Sequence, residues 1–446
     1  MKIINYIKND LNLVEIFKGG SVALIFKVGG IGVGYLFYFF LARFFDAEVV
    51  GIFSVCWTVL MIGAVLAKVG LDTSIVKFIS ESVANKKNSY IKNLYFSGLS
   101  IVSISSIIVF VLIFIFSKQL SSFYFESVEK YKLIIVIAIV VIPMSIMSFN
   151  AESVRGLKKI TQYSYFQNGS ILLLTLVFIF VIYFSKISSN LILPSLGISI
   201  FILMIFSFFI IKISFKNFPK EKSGTFKKDY PLKKILSVSL PMLLTNSLFL
   251  ILNWTDIQML SVFTDEASVG IYNIAVKIAA LNVVGLTAIN SIASPKFAEL
   301  YSQNNKSGLK KIIKQTTLIN TLISLPVFIV IITIPNFLLH LFGEEFEVGK
   351  SALIILGVGQ FFSAFSGSAM HILNMTGKEK TGRNIILFAT VLNIALNYIL
   401  IPKYGIMGAA IATMTSTIIW KTLAVIYIYK YHKILTYPFN LKLGNG

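Results

Sequence analysis

Twelve apolar stretches, each long enough to cross a bilayer, follow one another along this chain, at 20–42, 50–70, 93–116, 131–151, 164–184, 191–211, 235–261, 268–293, 312–334, 351–374, 384–401 and 406–429. A hydrocarbon core about 30 Å thick is spanned by about 20 apolar residues rising 1.5 Å each. With no water there to satisfy the backbone, only helices or closed barrels can cross, and runs this long and unbroken are helical. A mean hydropathy of +0.83 and a charged fraction of only 13% agree. The expected fold is an all-α integral membrane protein of twelve transmembrane helices. No cleavable leader is expected, because the first stretch follows a mixed polar segment without a small-residue cleavage site.

A net charge of +21 in a soluble chain would suggest nucleic acid, but its placement gives another meaning. With residues at span edges assigned to the adjoining loop, 29 Lys and Arg lie in the N-terminus, the loops after even-numbered stretches and the C-terminal tail. Only 7 lie in the loops after odd-numbered stretches, and 4 lie within stretches. The positive-inside rule then puts both termini in the cytoplasm. The basic charge is an orientation signal, and no nucleic-acid partner is expected.

Residues 1–18 place Ile3, Ile7, Leu11, Val14 and Phe17 at three- and four-residue steps, an amphipathic stripe suited to a membrane surface. The longest inner connection, 212–234, is rich in lysine and carries Pro219 and Pro231. It separates an N-lobe at 19–211 from a C-lobe at 235–429, each of six helices, with a tail at 430–446. The halves echo each other. Val50-Gly51-Ile52-Phe53 recurs 219 residues later as Val269-Gly270-Ile271-Tyr272, and Lys77-Phe78 recurs at the same offset as Lys296-Phe297. Gly156-Leu157-Lys158-Lys159 and Gly377-Lys378-Glu379-Lys380 stand at equivalent places at an offset of 221. Six helices per repeat make a parallel repeat, an arrangement used by transporters with a site between halves. The outer loops leave no room for a separate catalytic domain.

Charges deep in a span cost about 2.5–3.5 kcal/mol at the helix centre, so each calls for a reason. Asp256 is the one acid well inside a stretch, whereas Asp72 and Glu152 stand at cytoplasmic ends. Lys68 and Lys421, the latter beside Trp420, are expected to snorkel toward the headgroups. Lys27 either snorkels or faces a cavity. Lys277, in the eighth stretch, lies within reach of Asp256 in the seventh. The two form either a structural ion pair or part of a wet cavity. Asn246 and Asn253 share a face with Asp256, and Asn273 precedes Lys277 by one turn. Gln360, Ser363, Gly367, His371 and Asn374 make a polar stripe on the tenth stretch. Helix packing through hydrogen bonds uses the same residue types.

Gly29-Gly30-Ile31-Gly32-Val33-Gly34 lies inside a membrane helix with no preceding strand, so it is not a nucleotide loop. Gly30 and Gly34 permit close helix packing instead. Cys56 is the sole cysteine, which excludes an internal disulfide and a multi-cysteine metal site. His371 lacks ligand neighbours in sequence, so no metal or cofactor is expected. Pro143, Pro241 and Pro326 stand inside stretches, where proline kinks helices.

Several strings carry a family resemblance. They are Ala42-Arg43 through Val50-Gly51-Ile52-Phe53, Gly70-Leu71-Asp72-Thr73-Ser74-Ile75-Val76-Lys77-Phe78-Ile79, Asn374-Met375-Thr376-Gly377-Lys378, Leu392-Asn393, Leu396-Asn397, and Ile401-Pro402-Lys403-Tyr404-Gly405-Ile406-Met407-Gly408-Ala409-Ala410-Ile411-Ala412-Thr413. The chain resembles, over nearly its whole length, the polysaccharide flippase branch of the multidrug/oligosaccharidyl-lipid/polysaccharide exporter superfamily. The resemblance implies two six-helix lobes with alternating access to a central cavity, in a bacterial plasma membrane. It implies a polyprenyl-diphosphate-linked oligosaccharide as substrate, moved to the outer leaflet for surface polysaccharide synthesis. Polymerases and glycosyltransferases are the implied partners. Relatives carry cavity cations on helices one and eight, where this chain has Lys27 and Lys277.

The residues agree with that reading. Fixed cations in a wet groove would offset desolvation of a diphosphate, and amides and hydroxyls suit sugars. The candidate cavity set is therefore Lys27, Asn246, Asn253, Asp256, Asn273, Lys277, Gln360 and His371. The main alternative is a cation-coupled multidrug antiporter of the same fold, for which Asp256 alone could serve as the buried acid. A membrane enzyme would need a larger outer loop or a better-supplied catalytic group than His371.

Overall fold

The computed structural model describes residues 11–84, 89–185, 191–216, 218 and 232–437, which are helical and contain no strand. Ile3, Ile7 and most of the basic 212–234 connection lie outside the described residues. So do the side chains of Pro241 and Asn246.

The first half comprises α1 (Leu11–Phe44), α2 (Ala47–Lys68), α3 (Leu71–Ala84), α4 (Tyr90–Ile115), α5 (Ser117–Phe125), α6 (Tyr131–Gly156), α7 (Ile160–Gln167), α8 (Ser170–Phe184) and α9 (Ile192–Ser214). The second comprises α10 (Leu232–Phe263), α11 (Glu266–Ala280), α12 (Val284–Ser302), α13 (Lys306–Thr333), α14 (Pro335–His340), α15 (Lys350–Phe365), α16 (Ala369–Met375) and α17 (Glu379–His432). Among the described residues, nine helices, counting closely joined pieces as one, are long and apolar enough to cross a membrane. The bent pair α7–α8 makes ten. α17 is two helices in succession, since Gly405 (φ 52°, ψ −131°) leaves the helical region between them. Pro143 and Pro326 sit inside continuous helices.

Packing divides the chain into two units. The first takes the described residues up to Phe40 together with Val55–Leu250, and the second takes Leu41–Ser54 with the described residues from Ile251 onward. In the first unit, α6 is the central helix, against which α3, α4 and α9 pack. Its fully buried Asn150 accepts from Tyr95 Oη of α4 at 3.0 Å and donates to Ser207 Oγ of α9 at 2.8 Å. Leu71, Ile75, Ile91, Leu94 and Phe149 fill the apolar core around this clamp. In the second unit α15, the fourth stretch of its half as α6 is of the first, packs against α11, α13 and α17. Outward faces stay apolar, as on α4 with Ile104, Ile107, Ile108 and Val111. That is how a helix facing lipid presents itself.

The glycine cluster of α1 packs helices. A Cβ at Gly30 would lie 2.7 Å from the carbonyl carbon of Asn168, at the α7–α8 break, where Gly169 takes φ +86°. Gly34 faces Leu172, whereas Gly29 and Gly32 have nothing within 4 Å.

Four expectations change. The amphipathic segment is not a separate element over its described part, because α1 runs unbroken from Leu11 into the first span. Lys68 pairs with Asp72 at 3.2 Å, both largely buried, instead of reaching for headgroups; an acid one turn away is a nearer partner than water. The polar stripe of the tenth stretch is interrupted, because Gly367 (φ +68°) separates α15 from α16.

Lys421 also differs. It is buried, and its Nζ donates to the Gly367 carbonyl at 3.2 Å while lying 4.7 Å from the Trp420 ring centroid. The physical reason is the break itself. Ending α15 at Phe365, just before the left-handed Gly367, leaves carbonyls without helical donors. The ammonium takes one of them, and Thr436 Oγ1 takes the Ser366 carbonyl at 3.0 Å. A cation at a helix C-terminus is also favoured by the helix dipole.

Candidate functional site

The repeated Val-Gly-Ile string is a structural joint in the second unit. Asp46 caps α2 by accepting from Val49 N at 2.8 Å, and Asp265, 219 residues later, caps α11 by accepting from Ser268 N at 2.8 Å. The two helix starts then pack on each other reciprocally. A Cβ on Gly51 would run into the Glu266 carbonyl oxygen, and one on Gly270 into the Ala47 carbonyl oxygen. Ala47 and Glu266 are themselves 219 apart, so each glycine meets the carbonyl that its counterpart's own helix start presents. This is the self-complementary pattern of a two-fold contact. One turn on, Asn273 Nδ2 donates to Ser54 Oγ, again a pair 219 apart. Glu345 Oε1 completes the start of α2 by accepting from Ala47 N at 2.8 Å. Asn273 is therefore buried in a helix joint.

Asp256 is the centre of a buried network in the same unit. Its Oδ2 accepts from Tyr272 Oη of α11 at 2.9 Å and from Thr413 Oγ1 of α17, and its Oδ1 accepts from Asn397 Nδ2 of α17 at 2.7 Å. Asn397 also donates to Asn393 Oδ1 at 3.1 Å, and Asn393 to Ser416 Oγ at 3.3 Å. The donors to the carboxylate are uncharged, and among the described residues no ion pair joins Asp256 to Lys277. A structural Asp256–Lys277 bridge is thus not what the fold builds. Sequence reasoning missed Asn393, Asn397, Thr413 and Tyr272 as partners. The available signal was two asparagines four residues apart on one helix face.

Other expected site residues stand apart from this network. Lys277 is half-buried on α11, and Gln360 is half-buried on α15. Asn253 is exposed although it is three residues from buried Asp256, and Lys27 is exposed on α1. His371 lies in the first turn of α16, exposed, with Nδ1 3.0 Å from Ser294 Oγ of α12. Among the described residues no three His, Cys, Asp or Glu come together as metal ligands would.

Apolar helices of membrane-spanning length, one of them a bent pair, define a multi-pass helical membrane protein. The chain belongs to the polysaccharide biosynthesis protein family, whose model matches residues 16–301. That places it among the polysaccharide flippases of the exporter superfamily named above, and the MatE family model also matches, over 241–399. An uncharacterized membrane protein of Methanocaldococcus jannaschii, MJ1068, is 25% identical over 83% of this chain and 75% of its own length. The probable flippase AglR of Haloferax volcanii is 30% identical over 39% of this chain and 37% of its own. Among solved structures, lipid II flippase MurJ in an inward closed conformation superposes with a TM-score of 0.71. It is 16% identical, over 91% of this chain and 86% of that one.

Proposed function

We propose that this protein flips a polyprenyl-diphosphate-linked oligosaccharide from the cytoplasmic to the outer leaflet by alternating access, in the service of surface polysaccharide synthesis. The observation that carries the reading is the family match over residues 16–301, which relatives described as flippases support. Lys277 is the residue on which the electrostatics of transport turn. A diphosphate loses hydration in a low-dielectric passage, and an ammonium fixed within a membrane helix offsets that loss. Lys27 supplies a second cation with a smaller effect, and the protein acts as a transporter with no chemistry on its substrate.

The test is flipping of a labelled polyprenyl-diphosphate N-acetylhexosamine in proteoliposomes. Lys277→Ala is expected to lower the rate at least tenfold while the protein still folds, and Lys277→Arg to keep part of it. Wild-type rates in Lys277→Ala would remove the assignment. Sodium- or proton-driven export of cationic dyes, with no movement of the lipid diphosphate, would replace this function by the antiporter reading that the MatE match favours.

The same proposal includes twelve crossings with both termini cytoplasmic, resting on the Lys and Arg asymmetry. Single cysteines replacing the exposed Gln303 and Glu344, in a Cys56→Ser background, are expected to react with an impermeant maleimide from opposite sides. Reaction of both from one side would overturn that topology.

A further inference from the structure

The first unit holds a cavity of about 410 Å³ where the start of α4 meets the end of α9. Its lining includes Lys92, Lys212 and Lys216 together with Tyr95, Phe96 and Phe208, and no acidic residue. The cations come from two elements that begin and end at the same membrane face. Lys92 stands in the first turn of α4, Lys212 in the last turn of α9, and Lys216 just beyond it. None of the three is ion-paired among the described residues. Tyr95 and Phe215 are buried beneath the cavity, whereas Phe96 and Phe208 stay 49% and 37% exposed along its walls.

Three ammonium groups around one apolar hollow repel one another, and an anion seated among them would relieve that repulsion. The floor says more about the anion. Beyond Phe96 the exposed face of α4 continues through Ile104 and Ile107, and beyond Phe208 that of α9 continues through Ile205 and Phe201. From Phe96 to Ile107 is about 16 Å of helix at 1.5 Å per residue. That is about half of a 30 Å hydrocarbon core, the depth of one leaflet. A charged cavity that opens onto exposed apolar helix faces about one leaflet long fits a phospholipid, with its phosphate at the lysines and a chain beginning at Phe96 and Phe208. Basic pockets between membrane helices recognise anionic headgroups in this way.

We propose that the α4–α9 groove is a binding site for an anionic phospholipid, separate from the transported substrate. Lys92, Lys212 and Lys216 hold the phosphate, and Phe96 and Phe208 flank the acyl chain.

Native mass spectrometry of the purified full chain tests this with phosphatidylglycerol and phosphatidylcholine of identical acyl chains. The wild-type protein is expected to retain phosphatidylglycerol about tenfold more than phosphatidylcholine. Lys92→Gln/Lys212→Gln/Lys216→Gln is expected to lose that preference, and the corresponding triple arginine variant to keep it. Should the triple glutamine variant fold poorly, Lys212→Gln alone, at an exposed position, carries the comparison with a smaller drop. Millimolar inorganic phosphate is expected to leave lipid retention unchanged. Equal retention of both lipids, or a preference that survives charge removal, overturns the proposal. Displacement by inorganic phosphate would show a simple anion site and overturn it as well.

Discussion

Alanine at Gly51 or at Gly270 is expected to destabilise the fold severely, although each change adds a single methyl. The added carbon at either position meets a backbone carbonyl oxygen of the opposing helix, and also a backbone nitrogen at 3.1 Å for Gly51 or 3.0 Å for Gly270. A flexible side chain could swing aside, but a peptide group in a capped helix start cannot. Relief therefore requires the two helices to separate, which stretches the Asn273–Ser54 hydrogen bond and the contact of Glu345 with Ala47. Overpacking a tight core costs about 1–3 kcal/mol and more when backbone must move; a loss of about 3 kcal/mol or greater is expected here. Thermal unfolding in detergent, followed by size-exclusion chromatography, reads this directly. Gly29→Ala is the control, because nothing lies within 4 Å of its added carbon. Near-native melting of Gly51→Ala would mean that the reciprocal joint is looser than its geometry.

Asp256→Ala is expected to lower stability by about 2–4 kcal/mol. The change strands the Tyr272 hydroxyl and the Asn397 amide, both fully buried, and the half-buried Thr413 hydroxyl. A side-chain hydrogen bond between membrane helices averages about 0.6 kcal/mol and reaches about 1.7, while an orphaned buried donor costs about 1–3. Asp256→Asn keeps one acceptor oxygen and should lose about half as much. Adding Lys277→Ala to Asp256→Ala should bring no recovery, because no ion pair links them. Their effects should add to within about 0.5 kcal/mol. Recovery of most of the lost stability in the double variant would establish charge compensation between the two and undo this account. Flipping measured on the same variants separates the roles: Lys277→Ala should lose transport with little change in melting, and Asp256→Ala should lose both together.

The membrane class of the protein was legible at once, because an apolar run of span length has few alternatives when no water is available to its backbone. The candidate site was legible only as a set of residue types. Depth along a helix can be counted from sequence, and it marked Asp256 and Lys277 as groups that need a reason. Azimuth and partners cannot be counted in that way. Asp256 turned toward Tyr272 and two α17 side chains instead of Lys277, and exposed Asn253 stood only three residues away. Lys421 was misjudged for the same reason. Its snorkelling distance could be estimated from the chain, but the nearer acceptor existed only because α15 breaks at Gly367.

The repeat separates the two sources of information most sharply. Sequence alone determined that Val50-Gly51-Ile52-Phe53 and Val269-Gly270-Ile271-Tyr272 are equivalent. At the 219-residue spacing, Phe37 and Phe53 in the first half stand where Asp256 and Tyr272 stand in the second. Only the tertiary structure decided that the equivalent strings lie against each other, glycine to carbonyl in both directions. A string constrains what its own helix can bury, whereas the identity of the surface that comes to meet it is fixed by where the rest of the chain has packed.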